Sequence, residues 1–239
     1  MSNLFEYVEE WGQHSLEELP FCEVDNLVLS TLAYVPMGGA APAEGEERRS
    51  LREVAARYFE MPVHAELRDK KDAELLRKAA ESPRFGGMEL SLWVSRLDRE
   101  VQDQFGAVSF HTGDGAAFVA YQGTDNSLVG WKENFNMGFQ FPVPAQAEAA
   151  RYLEAAARAW PGVPLRIGGH SKGGNLAVYA AATCSPEVRE RILAVYNNDG
   201  PGFVGTLLES PGYLAIQDRV HTYVPQSAVV GMLLNHAED

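Results

Sequence analysis

Cysteine is scarce in this sequence. Its 239 residues include only Cys22 and Cys184, and neither lies in a Cys-x-x-Cys pair. Two cysteines cannot form the disulfide framework of a small secreted protein, and such usage is typical of a reducing compartment. The N-terminal stretch, MSNLFEYVEEWGQ, is acidic and of mixed polarity, unlike a secretory signal peptide. We therefore expect a cytoplasmic protein.

Basic residues and long apolar runs are also few. Lys and Arg number 20 against 33 Asp and Glu, so the formal net charge is -13. This charge argues against nucleic acid or an anionic membrane surface as a partner, but not against a neutral ester, lipid or acyl substrate. The apolar run from Ala228 to Leu234 is too short to span a bilayer. No His, Cys or carboxylate cluster has metal-ligand spacing, so we expect no metal and no cofactor.

A glycine-rich turn separates a predicted strand from a predicted helix in the stretch LRIGGHSKGGNLAVYAAA, which runs from Leu165 to Ala182. It contains Gly-x-Ser-x-Gly around Ser171, which marks a nucleophile elbow when a strand precedes it and a helix follows. In such a turn the serine hydroxyl projects from a strained backbone. The N–H of the next residue, Lys172, then points to where an oxyanion would form. The simpler alternative is a glycine-rich turn of some other α/β protein.

The sequence pattern predicts helices in the first hundred residues and a sheet in the residues that follow. Apolar residues at helical spacing predict helices over Val24–Tyr34, Leu51–Tyr58 and Asp72–Ala80. From Gln104 the pattern alternates, and a Gly-Asp-Gly turn joins two strands of a hairpin, Gly106–Thr112 and Ala116–Gln122. We expect one α/β domain over residues 1–239, with a mainly helical region over 1–100 and a sheet core over 101–239.

Two further candidate groups follow predicted strands. Gly123 and Thr124 end the second hairpin strand, where backbone N–H groups and a short hydroxyl suit an oxyanion hole; Thr124 could instead cap a turn. Asp199 follows the strand Ile192–Tyr196. Active groups gather at such strand ends, so Asp199 could orient a catalytic histidine. Its alternative role is that of a turn or N-cap carboxylate.

A serine nucleophile needs a general base, usually a histidine. Among the six histidines, His236 follows the last predicted strand, Val220–Val224, as the α/β-hydrolase order requires. His170 adjoins Ser171, where neighbouring side chains diverge, so we interpret it as packing or turn support. His221 begins the last strand, at the wrong end of the sheet. The alternative is that the base lies beyond Asp239 and that His236 is only a polar residue near the terminus.

Five segments, taken in order, resemble a bacterial family of unknown function that is related to the class 3, fungal-type lipases of the α/β-hydrolase fold. They are YQGTD, GWKENFNM, GGHSKGGNLA, YNNDGPGF and HTYVPQSAVVGML. FCEVDNLVLSTLAYVPM and SPRFGGMEL are similar to that family too, so the resemblance covers most of residues 20–236. It implies a mostly parallel central sheet flanked by helices, with Ser171 as the nucleophile. It also implies an oxyanion hole made by the Lys172 N–H with Thr124 or the backbone of 123–125.

The sequence departs from the lipase pattern at two places. Gln122 stands where lipases usually have Arg, and Gln226 and Ser227 stand where their triad aspartate follows the last strand. Asp199 is therefore our substitute candidate for the triad acid. Members of the family also usually extend past the equivalent of Asp239, with histidines in the extension.

We therefore expect a lipase-like serine hydrolase that cleaves an ester or thioester through an acyl-serine. Ser171, Asp199 and His236 are its candidate catalytic residues, with Lys172 and Thr124 in the oxyanion hole. The alternative is a catalytically silent hydrolase fold used for binding or scaffolding. The sequence leaves the substrate and the oligomeric state open.

Overall fold

Apolar stretches of the chain pair into one mixed sheet. The computed structural model describes residues 3–62, 67–98, 103–123, 142–203 and 207–224. Within them seven strands lie side by side in chain order: β1 (Arg49–Ser50), β2 (Glu89–Asp98), β3 (Asp103–His111), β4 (Ala117–Tyr121), β5 (Leu165–His170), β6 (Ile192–Asn198) and β7 (Val220–Tyr223). Pairs from β1 to β4 are antiparallel, and pairs from β4 to β7 are parallel. The carboxyl ends of β4 to β7 therefore meet at one edge, which is where ligands bind in α/β sheets.

Helices cover both faces of this sheet. The parallel strands are connected by α5 (Pro144–Ala159), α6 (Lys172–Thr183), α7 (Pro186–Glu190) and α8 (Pro211–Leu214). Right-handed crossovers place α5 and α6 on the same face, where they pack with Val119, Ile167 and Val195. The other face is covered by α1 (Leu4–Glu10), α2 (Glu23–Leu32), α3 (Leu51–Glu60) and α4 (Lys70–Glu81). No helix in the described part of the chain has the length and apolar character that crossing a membrane requires.

The predicted helices and the predicted hairpin are confirmed. α2, α3 and α4 coincide with the three helices expected from helical spacing of apolar residues. β3 and β4 pair antiparallel, with Ala107 opposite Tyr121 and His111 opposite Ala117. The alternation of apolar residues thus determined which residues became neighbours in this hairpin.

The hydrophobic pattern does not predict β2, which lies in the region expected to be mainly helical. β2 pairs with β3, but the register shifts between Ser91 and Val94. Leu92 in that interval has a φ of 57°. An irregularity of this kind breaks the period-2 alternation by which strands are recognised, because the extra residue turns the following side chains to the other face.

A buried ion pair fastens the N-terminal helices together. Arg84 Nε and Nη2 donate to the two carboxylate oxygens of Asp25 at 2.6 and 2.5 Å. Both side chains are almost completely buried. The Tyr7 hydroxyl also donates to Asp25 at 3.0 Å, and Arg84 Nη1 donates to the carbonyl of Leu19 at 2.9 Å. The pair therefore joins α1, α2 and the segment after α4, with additional partners for both charged groups.

Candidate active site

β5 leads into a sharp turn whose central residue is Ser171. α6 begins at the next residue, Lys172. Ser171 has φ 57° and ψ -130°, a conformation that residues with a Cβ rarely adopt. Its N–H donates to the carbonyl of Asn198 at 2.8 Å, and the N–H of Gly174 donates to the Ser171 carbonyl at 2.9 Å. The turn thus has the strand, strained serine and helix that the sequence predicts for a nucleophile elbow.

The glycines two residues before and two residues after Ser171 lie where no side chain fits. A Cβ added at Gly169 would lie 2.3 Å from the carbonyl carbon of Gly173. A Cβ added at Gly173 would lie 2.2 Å from the carbonyl oxygen of Tyr121. The ends of β4 and β5 and the first turn of α6 therefore approach more closely than any other residue type allows.

The Lys172 N–H belongs to the first turn of α6, where backbone N–H groups lack helical partners and concentrate partial positive charge. The Lys172 side chain is fully buried, and its Nζ donates to the carbonyl of Gln104 at 2.6 Å. Thr124, the other predicted oxyanion donor, lies outside the described residues and stays a prediction. Its neighbour Gly123 lies beside the elbow, because a Cβ added there would be 2.3 Å from the carbonyl oxygen of His170.

Asp199 lies at the carboxyl end of β6, one strand away from the elbow. It has a φ of 56°, and its N–H donates to the carbonyl of Tyr223 at 2.8 Å. A cavity of about 670 Å³ opens at this edge of the sheet. Its lining residues come from the start of α2 and from the ends of β5, β6 and β7: Glu23, Val24, Leu27, His170, Asn198, Asp199, Thr222, Tyr223 and Val224. The structure thus brings Asp199 to the same cavity as the residue before Ser171, while its role in orienting a histidine stays a prediction.

His170 packs against the N-terminal layer, which is formed by α1 to α4 and the residues that adjoin them. Its Nδ1 lies 3.2 Å from the hydroxyl oxygen of Tyr34. Burial is the main cause that lowers the pKa of His170, and the charge of Arg68 adds to this, whereas Asp199 and Asp72 act in the opposite direction. A lowered pKa keeps the imidazole neutral at neutral pH, as expected for a ring that supports the turn.

Of the other two histidines considered for catalysis, only His221 is among the described residues. His221 is in β7 opposite Tyr196, and the two rings stack with centroids 5.5 Å apart. That position is two residues short of the strand end, away from the edge that carries Ser171. His236, the predicted base, lies outside the described residues, so its role stays a prediction. Within the described ranges, no group of three or more His, Cys, Asp or Glu side chains could hold a metal ion.

A reciprocal pair of buried amides links α2 to the elbow. Asn26 Nδ2 donates to Asn198 Oδ1 at 2.9 Å, and Asn198 Nδ2 donates to Asn26 Oδ1 at 3.0 Å. Asn198 Nδ2 also donates to the carbonyl of Gly169 at 3.0 Å. No motif in the sequence assigns a role to these residues. The available signal was Asn26, a polar residue that interrupts the apolar face of a predicted core helix.

A second buried amide positions the loop that follows Asp199. Asn175 Nδ2 donates to the carbonyls of Pro201 and Gly202 at 3.0 and 3.1 Å. Asn175 Oδ1 accepts from Gln146 Nε2 at 2.9 Å. These contacts connect α5, α6 and the loop after β6. No local sequence pattern predicts them, because their partners are far apart in the chain.

Comparison with known proteins places the chain in a family. A family model described as Mbeg1-like matches residues 79–239, which is more than half of the chain, and the chain belongs to this family. The matched residues include Ser171, Lys172 and Asp199. They do not include α1, α2 and α3. No curated protein sequence matches the chain.

Two solved lipase structures are similar to this chain. One is the crystal structure of M37 lipase, with a TM-score of 0.52 and 13% sequence identity over 84% of this chain and 67% of the lipase. The other is the crystal structure of Lip2 lipase from Yarrowia lipolytica, with a TM-score of 0.36 and 13% identity over 76% and 60% of the two chains. The likeness to M37 lipase confirms the predicted α/β-hydrolase fold, with a mixed sheet flanked by helices. Together with the family match, it supports the predicted lipase-like relationship.

Proposed function

We propose that this member of the Mbeg1-like family is a lipase-like serine hydrolase that cleaves an ester or thioester bond through an acyl-serine at Ser171. The observation that carries the proposal is the backbone of Ser171, which is held at φ 57° between β5 and α6. Such strain costs about 1–3 kcal/mol and persists only where the surrounding structure enforces it, often at active sites. A glycine-rich turn without a catalytic role has no need for a serine in this conformation.

The proposed reaction follows the acyl-serine pathway. Ser171 Oγ attacks the carbonyl carbon, and its proton passes to a histidine, for which His236 is the candidate and Asp199 the orienting acid. The Lys172 N–H and Thr124 donate hydrogen bonds to the tetrahedral oxyanion. The leaving alcohol or thiol takes the proton from the histidine. Water then attacks the acyl-serine while the histidine accepts the proton of the water. The bond between the acyl carbon and Ser171 Oγ breaks, the histidine returns the proton to Oγ, and the acid product departs.

The cavity beside Asp199 favours an uncharged substrate. Val24, Leu27 and Val224 offer apolar surface to its interior, while Glu23 and Asp199 contribute negative charge. The whole chain carries a formal charge of -13. Because like charges repel, we infer that neutral esters, thioesters or lipids enter this cavity more readily than anionic ones.

Labelling with a fluorophosphonate probe tests the proposal. The probe reacts with serines whose hydroxyl is activated by a base, so we expect the wild-type chain to be labelled and Ser171→Ala to lose the label. Ser185→Ala is the matched control, because Ser185 precedes α7 and its side chain makes no capping hydrogen bond. This control should be labelled like the wild type. If His236→Ala also abolishes labelling without unfolding the protein, His236 is the base.

The opposite result would favour the silent fold. A folded wild-type chain that takes no label, under conditions where a known serine hydrolase is labelled, would contradict a hydrolase activity of this chain. The strained serine would then be a retained feature of a fold used for binding or scaffolding.

A further inference from the structure

The hydroxyl of Tyr34 lies at the junction between the elbow and the end of β4. Tyr34 follows α2 by two residues and is almost fully buried. Its hydroxyl donates to the carbonyl oxygen of His170, the residue before Ser171, at 3.0 Å. A Cβ added at Gly123, the residue before Thr124, would lie 2.0 Å from the same hydroxyl oxygen. One hydroxyl group therefore contacts the residue before the nucleophile and the residue before the predicted oxyanion donor.

The protons at this junction can be assigned from the hydrogen bonds. Burial raises the pKa of Tyr34 to about 12, so the hydroxyl keeps its proton at neutral pH and donates it to the His170 carbonyl. His170 Nδ1, which is 3.2 Å from the hydroxyl oxygen, must then be the donor of the second contact. A backbone hydrogen bond from Gly123 to the hydroxyl lowers the pKa of Tyr34 and so opposes the effect of burial. The hydroxyl thus contacts His170 twice and Gly123 once, and a side-chain hydrogen bond from Arg68 also lowers the pKa of Tyr34.

The ring of Tyr34 is held from its other side. The Arg68 guanidinium lies over the ring at 3.6 Å from the centroid. Arg68 is itself fixed by two hydrogen bonds to the buried carboxylate of Asp72, at 3.1 and 2.8 Å. A planar cation placed over an aromatic face is attracted to it, which restricts the position of the ring. The position of the Tyr34 hydroxyl is therefore fixed by contacts of its ring within the N-terminal layer.

From this geometry we propose that Tyr34 is a positioning residue for the oxyanion hole. Its hydroxyl sets the separation between the end of β4, which leads into Thr124, and the peptide that leads into Ser171. The inference rests on the hydrolase function proposed above. It adds a contribution from Tyr34 and Arg68, both of which precede the residues matched by the family model.

The rate of covalent labelling tests this role. Labelling at several concentrations of the fluorophosphonate probe gives kinact, which depends on transition-state stabilisation, and KI, which reports probe binding. Loss of an oxyanion-hole donor lowers turnover by about 10²–10³-fold. In Tyr34→Phe the donors are displaced rather than removed, so we expect kinact to fall by about tenfold and KI to stay within about twofold. Phe keeps the ring under Arg68.

Tyr152→Phe is the matched control. Tyr152 is also a buried tyrosine, and its hydroxyl donates to the backbone carbonyl of Leu92 in β2 at 2.9 Å. The variant Tyr152→Phe thus loses a similar hydrogen bond at a position away from the elbow. Its kinact should equal that of the wild type. Urea unfolding of both variants shows whether they are folded under the assay conditions.

Each outcome distinguishes the two proposals. Equal kinact in folded Tyr34→Phe and wild type would overturn the role of Tyr34 and leave the hydrolase function standing. No labelling of the wild type would overturn both. If Tyr34→Phe does not fold, Gly123→Ala tests the junction from the strand side, because its Cβ would collide with the Tyr34 hydroxyl and the His170 carbonyl. A folded Gly123→Ala with wild-type kinact would equally overturn the proposal.

Discussion

Strained residues lie at the ends of two neighbouring parallel strands. Ser171 and Asp199 both have a φ close to +57°, although neither is glycine. The Ser171 N–H donates to the carbonyl of Asn198, and the Asp199 N–H donates to the carbonyl of Tyr223, so each strained residue is tied to the next strand. These hydrogen bonds to neighbouring strands hold both strained residues at the same edge of the sheet.

The lowered pKa of His170 should make the free energy of unfolding depend on pH. Burial lowers its pKa from the ordinary value of 6.5, so the unfolded chain binds a proton at a pH where the folded chain does not. The free energy of unfolding should therefore fall as the pH drops below about 6.5, until the pH reaches the lowered pKa. We expect His170→Gln, whose amide can still contact Tyr34, to make urea-unfolding stability less dependent on pH between about 7 and 5.

An exposed histidine supplies the control for this experiment. His14→Gln removes an imidazole whose side chain is about half exposed. The pH profile of His14→Gln shows how much the loss of an exposed imidazole changes by itself, and the change in His170→Gln is measured against it. An unchanged profile in His170→Gln would show that His170 is not held neutral by its surroundings.

At the scale of elements, α2 is the helix that connects the N-terminal layer to the site. Asn26 of α2 exchanges hydrogen bonds with Asn198 at the end of β6. Glu23, Val24 and Leu27 of the same helix line the cavity. The position of α2 is secured in turn by the ion pair between Asp25 and Arg84. Helix position and cavity shape are therefore coupled.

Removing the cation of that ion pair should destabilise the protein strongly. Arg84→Ala leaves the carboxylate of Asp25 buried without its counter-ion, which costs about 3–5 kcal/mol in comparable cases. Urea denaturation would measure the loss. Arg151→Ala is the control, because Arg151 pairs with Glu148 on the surface and is 66% exposed, and an exposed pair contributes under about 1 kcal/mol. Similar losses in the two variants would contradict a structural role for the buried pair.

At the scale of the whole molecule, the sheet has an apolar cluster on each face. One face is covered by α5 and by α6, the helix that begins directly after Ser171. The other face presents Val108, Phe110 and Phe118 to the N-terminal helices, and these side chains are fully buried. Both layers are needed to remove the apolar surface of the sheet from water, since its strands are apolar on both sides.

A chain of residues 79–239, the part matched by the family model, should therefore not reach the native state. It would expose Val108, Phe110 and Phe118 and leave Arg84 without Asp25. We expect a collapsed or aggregated species without a cooperative thermal transition, as measured by circular dichroism and size-exclusion chromatography. Addition of residues 1–78 as a separate chain should restore cooperative unfolding. A cooperative transition of the shorter chain alone, at the wild-type temperature, would show that the N-terminal layer is dispensable.

Local patterns were sufficient for much of the architecture. Helical spacing predicted α2, α3 and α4, and alternation around a Gly-Asp-Gly turn predicted the hairpin of β3 and β4. The Gly-x-Ser-x-Gly motif predicted the turn at Ser171, because the strained φ of Ser171 and the close approach of Gly169 to Gly173 are local consequences of that spacing. Such features depend on neighbours in the sequence and are therefore encoded in short stretches.

Only the tertiary structure decided what surrounds the serine. The sequence alone could not show that Tyr34 would reach His170, 136 residues later, or that Asn26 would pair with Asn198, 172 residues later. Nor could it show that α2 would form one wall of the cavity beside Asp199. These contacts arise because the right-handed crossovers leave one face of the sheet to be covered by the N-terminal helices. Which side chains then meet is determined by the packing of that layer against the sheet, which no short segment contains.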